Sequence, residues 1–229
     1  MIVRRAKPRV VLTDIEGTTT PISFVKEVLF PFARARISDY ARAHCTDPAV
    51  VQIIADASEG TGDLERAITA LIAWSDADAK IGPLKSLQGL IWEDGYRENV
   101  LKAPGFPDAA IALRAWHAEG IKLAVYSSGS ALAQKRLFTS SDQGNLAVLF
   151  SDFFDTAVGA KREAAAYTRI AQNLGVASGD ILFLSDIPEE LDAAEAAGFA
   201  TLHLVRPGEG SHATTRHAHV ASFAEIAWQ

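Results

Sequence analysis

A chain of 229 residues, 48% of them hydrophobic, is long enough to bury a core in one domain, or in one domain with a small insert. Its formal charge of −6 and pI near 5.5 speak against binding nucleic acid or an anionic membrane surface. Cys45, the only cysteine, excludes an intrachain disulfide and favours a reducing compartment.

The chain opens with MIVRRAKPRVVLTD, which holds neither a long apolar segment nor a small-residue cleavage site. The expectation is a cytoplasmic chain without signal peptide or membrane span. Within that stretch RVVLTD (9–14) reads as a buried strand. Residues 20–100 then lack any convincing strand. SFVKEVLFPFARARISDYARAH, DLERAITALIAWSDADA and PLKSLQGLIWEDGYREN all have helical spacing. Prolines and Gly105 interrupt the pattern at Pro21 and in KAPGFP (102–107), so 20–102 is predicted to be a helical insert.

Beyond it the chain alternates. FPDAAIALRAWHAEG (106–120) reads as helix, IKLAVYSS (121–128) as strand, SALAQKRLF (130–138) as helix and LFSDFFD (149–155) as a weaker strand. REAAAYTRIAQNLG (162–175) is helix, ILFLSD (181–186) strand, PEELDAAEAAG (188–198) helix and ATLHLV (200–205) strand. Several helices end at glycine. The alternation predicts an α/β fold, a doubly wound, mostly parallel sheet formed by 1–19 and 103–229, with the helical cap inserted after the first strand.

The polar residues gather at strand ends, where open α/β sheets bind ligands. Asp14 and Glu16 end the first strand; Ser127 and Ser128 lead into Gly129; Lys161 follows VGA; Asp186 ends ILFLSD, with Glu190 four residues on. Residues two apart in extended chain point the same way, so Asp14 and Glu16 can face one pocket. Their repulsion needs a cation or a proton, and Asp186 adds a third acid. Oxygen donors without histidine suit Mg²⁺, which often bridges phosphate. Lys161, Ser127 and the N–H groups of the glycine-flanked turns would cradle that phosphate. Each acid alone reads better as a cap or turn former. The bland reading of Ser127 and Ser128 is a turn before a helix starting near Ser130, and of Lys161 a solvated helix residue. Four strand ends carrying acid, hydroxyl, lysine and acid in that order argue for a site.

DIEGT, YSSGS, GAK and LSDIPEE resemble, in order, the four motifs of the haloacid dehalogenase superfamily. The acid two residues after Asp14 is usually aspartate there; Glu16, with GTTTPISFVKEVLFPFAR after it, resembles the enolase-phosphatases (acireductone synthases) of methionine salvage. The resemblance runs over most of the chain. It implies a monomer with one Mg²⁺ per chain and a diketo phosphate ester as substrate. Asp14 is then the nucleophile and, with Glu16 and Asp186, a metal ligand. Glu16 protonates the leaving oxygen and later takes a proton from water. Lys161, Ser127, Ser128 and Gly129 hold phosphate, and Glu190 supports a metal-bound water or Lys161. The rivals are a phosphatase or mutase of the same superfamily acting on a sugar phosphate, and a phosphoryl-accepting receiver module. Receiver modules are short and lack an inserted lid.

The lid is expected to choose the substrate and exclude water, with Phe24, Lys26, Glu27, Trp92, Glu93 and Tyr96 as candidates. His203, His212, His217 and His219 suggest a metal cluster, but no acid or cysteine completes a zinc pattern, and they read as a solvated loop.

Overall fold

The computed structural model describes residues 2–229. Its strands are β1 (Val3–Arg5), β2 (Val10–Thr13), β3 (Lys122–Tyr126), β4 (Phe150–Phe154), β5 (Ile181–Ser185), β6 (Ala200–Leu204), β7 (His219–Val220) and β8 (Ile226–Trp228). The chain divides into two compact units, Met1–Ile22 with Lys102–Gln229, and Ser23–Leu101.

The first unit is built on a six-stranded parallel sheet of order β4-β3-β2-β5-β6-β7. β2 is central and buried along its whole length. Parallel strands covered on both faces read as unbroken apolar runs, which is why VVLT, KLAVY and ILFLS stand out in the sequence. Thr13 is in register with Val125 of β3 and with Leu184 of β5. The carboxyl ends of the three middle strands are therefore level, and the residues after them meet. Helix Ala164–Leu174 buries Tyr167, Ile170 and Leu174, spaced i, i+3, i+7, in the same core cluster as Leu12, Tyr126 and Phe183. A second, two-stranded parallel sheet pairs β1 with β8. β1, β7 and β8, at two or three residues each, are too short to leave a periodic signal and escape the sequence reading.

The second unit is helical: Phe30–Arg34, Ile37–Ala43, Pro48–Ala57, Leu64–Asp76 and Gly82–Arg97 pack around Ile37, Ile53, Leu71, Leu87 and Ile91. Pro48–Ala57 is absent from the sequence reading, although Val50, Ile53, Ile54 and Ala57 have helical spacing and Pro48 sits where a helix tolerates proline. A π turn over Val25–Leu29, closed by the Phe30 N–H on the Val25 carbonyl, precedes Pro31. That widening suits a proline, which can neither donate nor fit against the carbonyl four residues back. Of the candidate lid residues, Phe24 and Tyr96 are buried, and the Trp92 indole donates to the Leu29 carbonyl at 2.8 Å.

Candidate active site

The segment after β2 folds tightly on itself. The Ile15 carbonyl accepts from the N–H groups of Thr18, Thr19 and Thr20 at 3.2, 2.9 and 3.0 Å, and the Gly17 N–H donates to the Thr20 carbonyl at 2.8 Å. Gly17 has φ +70°, and a Cβ there would lie 2.3 Å from Asp186 Oδ2. Both the backbone conformation and the approach of Asp186 require glycine.

This turn presents Asp14, 3% exposed, with its N–H on the Leu184 carbonyl at 2.9 Å. Lys161 Nζ lies 2.7 Å from Asp14 Oδ1 and 2.7 Å from Glu190 Oε2. Burial alone would lower the Lys161 pKa, but the charges of Asp14 and Glu190 carry it above the usual lysine range. Ser185 Oγ also donates to Glu190 Oε2, at 3.0 Å. Burial and then the charge of Asp14 push Glu190 up to about 7, against the pull of Lys161. The same two causes push Asp186 up to about 7.

Ser127 is buried, and its hydroxyl donates to Glu16 Oε2 at 3.5 Å while accepting from the Gly129 N–H at 3.4 Å. Burial, then the charge of Asp14, raise Glu16 above the usual carboxylate range. Ser128 is exposed, and Ser130 is the residue that caps the following helix, accepting from the Ala133 N–H. The structure thus brings Asp14, Glu16, Ser127, Lys161, Asp186 and Glu190 to one end of the sheet, with Ser128 at its surface.

The three acids expected to share a cation are not grouped as a metal cluster: among the described residues no three His, Cys, Asp or Glu side chains are so arranged. The Glu16 carboxylate turns to Ser127 instead. A smaller donor set does fit a hard cation. Asp186 Oδ1 is buried with no hydrogen-bond partner, next to the charge of Asp14. The Lys161 ammonium pairs with Asp14 and Glu190, and its charge only partly offsets the burial and the Asp14 charge that raise Glu16 and Asp186. Asp186 and Asp14 are the residues positioned to use a further positive charge.

Two histidines depart from the solvated-loop reading. His203, fully buried on β6, donates from Nε2 to the Asp186 carbonyl at 3.0 Å. His217 is buried between Asp192 (2.8 Å to Nε2) and Glu195 (3.1 Å to Nδ1). His212 and His219 are exposed. Sequence reasoning also passed over Arg206. Its Nε donates to the Thr18 carbonyl at 2.8 Å, and its two terminal nitrogens grip Asp108 at 3.1 Å each. The guanidinium stacks 3.9 Å from the Phe106 ring centroid. Burial would raise Asp108, but bonds from Arg206, Ser222 and the Phe223 N–H hold it below the usual range. Asp108→Ala leaves a buried guanidinium uncompensated and is expected to cost about 3–5 kcal/mol of stability. A urea midpoint equal to that of the unsubstituted chain would contradict it.

The family model of haloacid dehalogenase-like hydrolases matches residues 8–198. A protein of Granulibacter bethesdensis named Enolase-phosphatase E1 is 52% identical over 221 residues, covering 96% of this chain and 95% of its own. One of the same name from Methylococcus capsulatus is 50% identical, covering 95% and 97%. Among solved structures, the UTR4 protein of Saccharomyces cerevisiae superposes with a TM-score of 0.80 at 32% identity, covering 94% of this chain and 98% of that one. CbbY of Rhodobacter sphaeroides, in complex with xylulose-1,5-bisphosphate, shares the fold at 17% identity with a TM-score of 0.61, covering 96% and 97%.

Proposed function

Because the chain belongs to the haloacid dehalogenase-like hydrolases, and within them to the enolase-phosphatases, we propose that it enolises 2,3-diketo-5-methylthiopentyl-1-phosphate and then removes the phosphate, forming the acireductone of methionine salvage. The observation that carries the chemistry is a buried aspartate at the end of the central strand, Asp14, paired at 2.7 Å with Lys161, whose side chain is 11% exposed.

Asp14 attacks phosphorus and the bond to the leaving oxygen breaks, giving an aspartyl phosphate. Glu16, raised by burial and by Asp14, can carry the proton that the leaving oxygen takes. The same carboxylate then takes a proton from the water that attacks phosphorus, and Asp14 is regenerated with release of phosphate. Lys161 faces the phosphoryl oxygens as negative charge passes from Asp14 onto them. The Ser127 hydroxyl and the Gly129 N–H, which now donate to Glu16 and to Ser127 at 3.5 and 3.4 Å, would turn to the phosphate when it binds. Ser128, being exposed, contributes at the rim. Glu190 holds Lys161 from the far side. Asp14 and Asp186 would hold one Mg²⁺, with Glu16 beside it. When bound, the ion supplies charge that offsets the phosphate and makes a carbon-bound proton beside a carbonyl more acidic.

A divalent chelator is expected to stop phosphate release, and added Mg²⁺ to restore it. Asp186→Ala should raise the Mg²⁺ concentration needed for half-maximal rate at least about tenfold, since even outer partners of a metal cost that much. An unchanged Mg²⁺ requirement would contradict its role as a ligand. Substrate choice is tested by phosphate release from the diketo phosphate against common sugar phosphates. The diketo ester should be turned over far faster; a sugar phosphate turned over equally well would contradict the reading. The lone cysteine supports a reducing cytoplasm as the place of action, and the family resemblance supports a monomer. No helix among the described residues is long and apolar enough to cross a membrane.

A further inference from the structure

Lys161 reaches Asp14 from a loop, not from a helix or strand. A loop lysine with four rotatable bonds has much freedom to lose, and something must fix its backbone. Three side chains do so by donating to three of the four carbonyls of residues 158–161. Arg169 Nη1 donates to Val158 O at 2.7 Å, Tyr126 OH to Gly159 O at 2.9 Å, and Tyr167 OH to Lys161 O at 2.7 Å. A Cβ on Gly159, at φ +130°, would sit 2.9 Å from the Ala166 Cβ, so the loop is also pressed onto helix Ala164–Leu174.

The two tyrosines form one device. Tyr126 ends β3 directly before Ser127, and Tyr167 lies on the helix that follows the loop. Their rings meet edge to face at 5.5 Å, and Tyr167 packs in the same manner on Phe183 of β5 and on Phe199. Both side chains are fully buried, so each hydroxyl is fixed by its ring. Lys161 Nζ stands 5.8 Å from the Tyr126 ring centroid, which floors its path to the carboxylates. A carbonyl only accepts, so each phenol must donate; burial holds both protonated, Tyr126 at about 12.

We propose that Tyr167, with Tyr126, is a positioning residue: its hydroxyl holds the Lys161 carbonyl so that the ammonium stands between Asp14 and Glu190 when phosphate arrives. The proposal rests on the role given to Lys161 above. The bland alternative is that the tyrosines merely fill the core and serve stability.

Phenylalanine removes the hydroxyl and keeps the ring, so Tyr167→Phe separates the two. It is expected to lower kcat/KM roughly two- to tenfold, the worth of one neutral hydrogen bond, with the thermal midpoint monitored alongside. The deciding reading is a double-mutant cycle with Lys161→Met. If the hydroxyl acts through Lys161, adding Tyr167→Phe to Lys161→Met should cost nothing more. Where Lys161→Met turns over too slowly, the same cycle is read on the affinity for inorganic phosphate by calorimetry. An equal fractional loss in both backgrounds, or no loss in either, overturns the proposal. Wild-type kinetics in Lys161→Met alone would remove the role of Lys161 and the proposal with it, an outcome distinct from the other two.

Discussion

Asp14→Asn is expected to abolish phosphate release, by on the order of 10⁴-fold or more, the scale on which a covalent nucleophile is lost. Asparagine fills the same space at the end of β2 and keeps the N–H bond to Leu184, so the fold around it should stand. What disappears is the charge proposed to attack phosphorus, which also faces Lys161. Lys161 keeps Glu190, so the ammonium stays in place. Enolisation needs no nucleophile at phosphorus. If the variant still binds Mg²⁺ and substrate, solvent deuterium should enter the carbon beside the carbonyl, and an enol absorbance should rise without free phosphate. Sustained phosphate release beyond slow deamidation would contradict the role of Asp14. Absence of both enol signals in a variant that binds substrate would contradict the separation of the two reactions.

Lys161→Met should lower kcat/KM by roughly ten- to a hundredfold or more, the loss of a charge-assisted contact in a buried site, about 1.5–3 kcal/mol or beyond. Methionine keeps most of the length and removes the ammonium. Asp14 and Glu190 then lose the ammonium that pairs with both, and the charge that also pulls on Asp186. An incoming phosphate meets uncompensated acids, so its affinity should fall along with turnover. Inhibition by inorganic phosphate reads the binding part and single-turnover rates the chemical part. Because the carboxylates hold Lys161 above its usual pKa, the unsubstituted enzyme should show no loss of this charge between neutral pH and about pH 10. Kinetics equal to the unsubstituted chain would leave Lys161 a structural ion-pair partner of Asp14 and Glu190 with no part in the reaction.

The sheet and the site were legible for one reason. A strand buried on both faces has to be apolar, so the residue at which the run stops is conspicuous: Asp14 after VVLT and Asp186 after ILFLS. Their meeting in space follows from parallel register. The direction of Glu16 was not legible, because it depends on the turn at Gly17 and on a serine 111 positions away. Arg206 was hidden in the same way: its partner Asp108 is 98 residues distant, and an arginine after a strand ordinarily reads as solvated. Tyr167 lies unremarked within the helix predicted over 162–175, since only the loop before it gives its hydroxyl a task. His217 was misread for lack of a nearby acid in sequence, while Asp192 and Glu195 wait on a helix some twenty residues earlier.

The proposed reaction turns on phosphoryl transfer to one carboxylate, that of Asp14. The direct measurement is to mix enzyme, Mg²⁺ and the diketo phosphate, quench in acid within a turnover, digest, and locate the phosphoryl group by mass. It should be found on the peptide containing Asp14, absent from Asp14→Asn, and lost on brief treatment with hydroxylamine, as an acyl phosphate is. A phosphoryl group on any other residue, or rapid phosphate release with no phosphorylated chain at any time point, would contradict it.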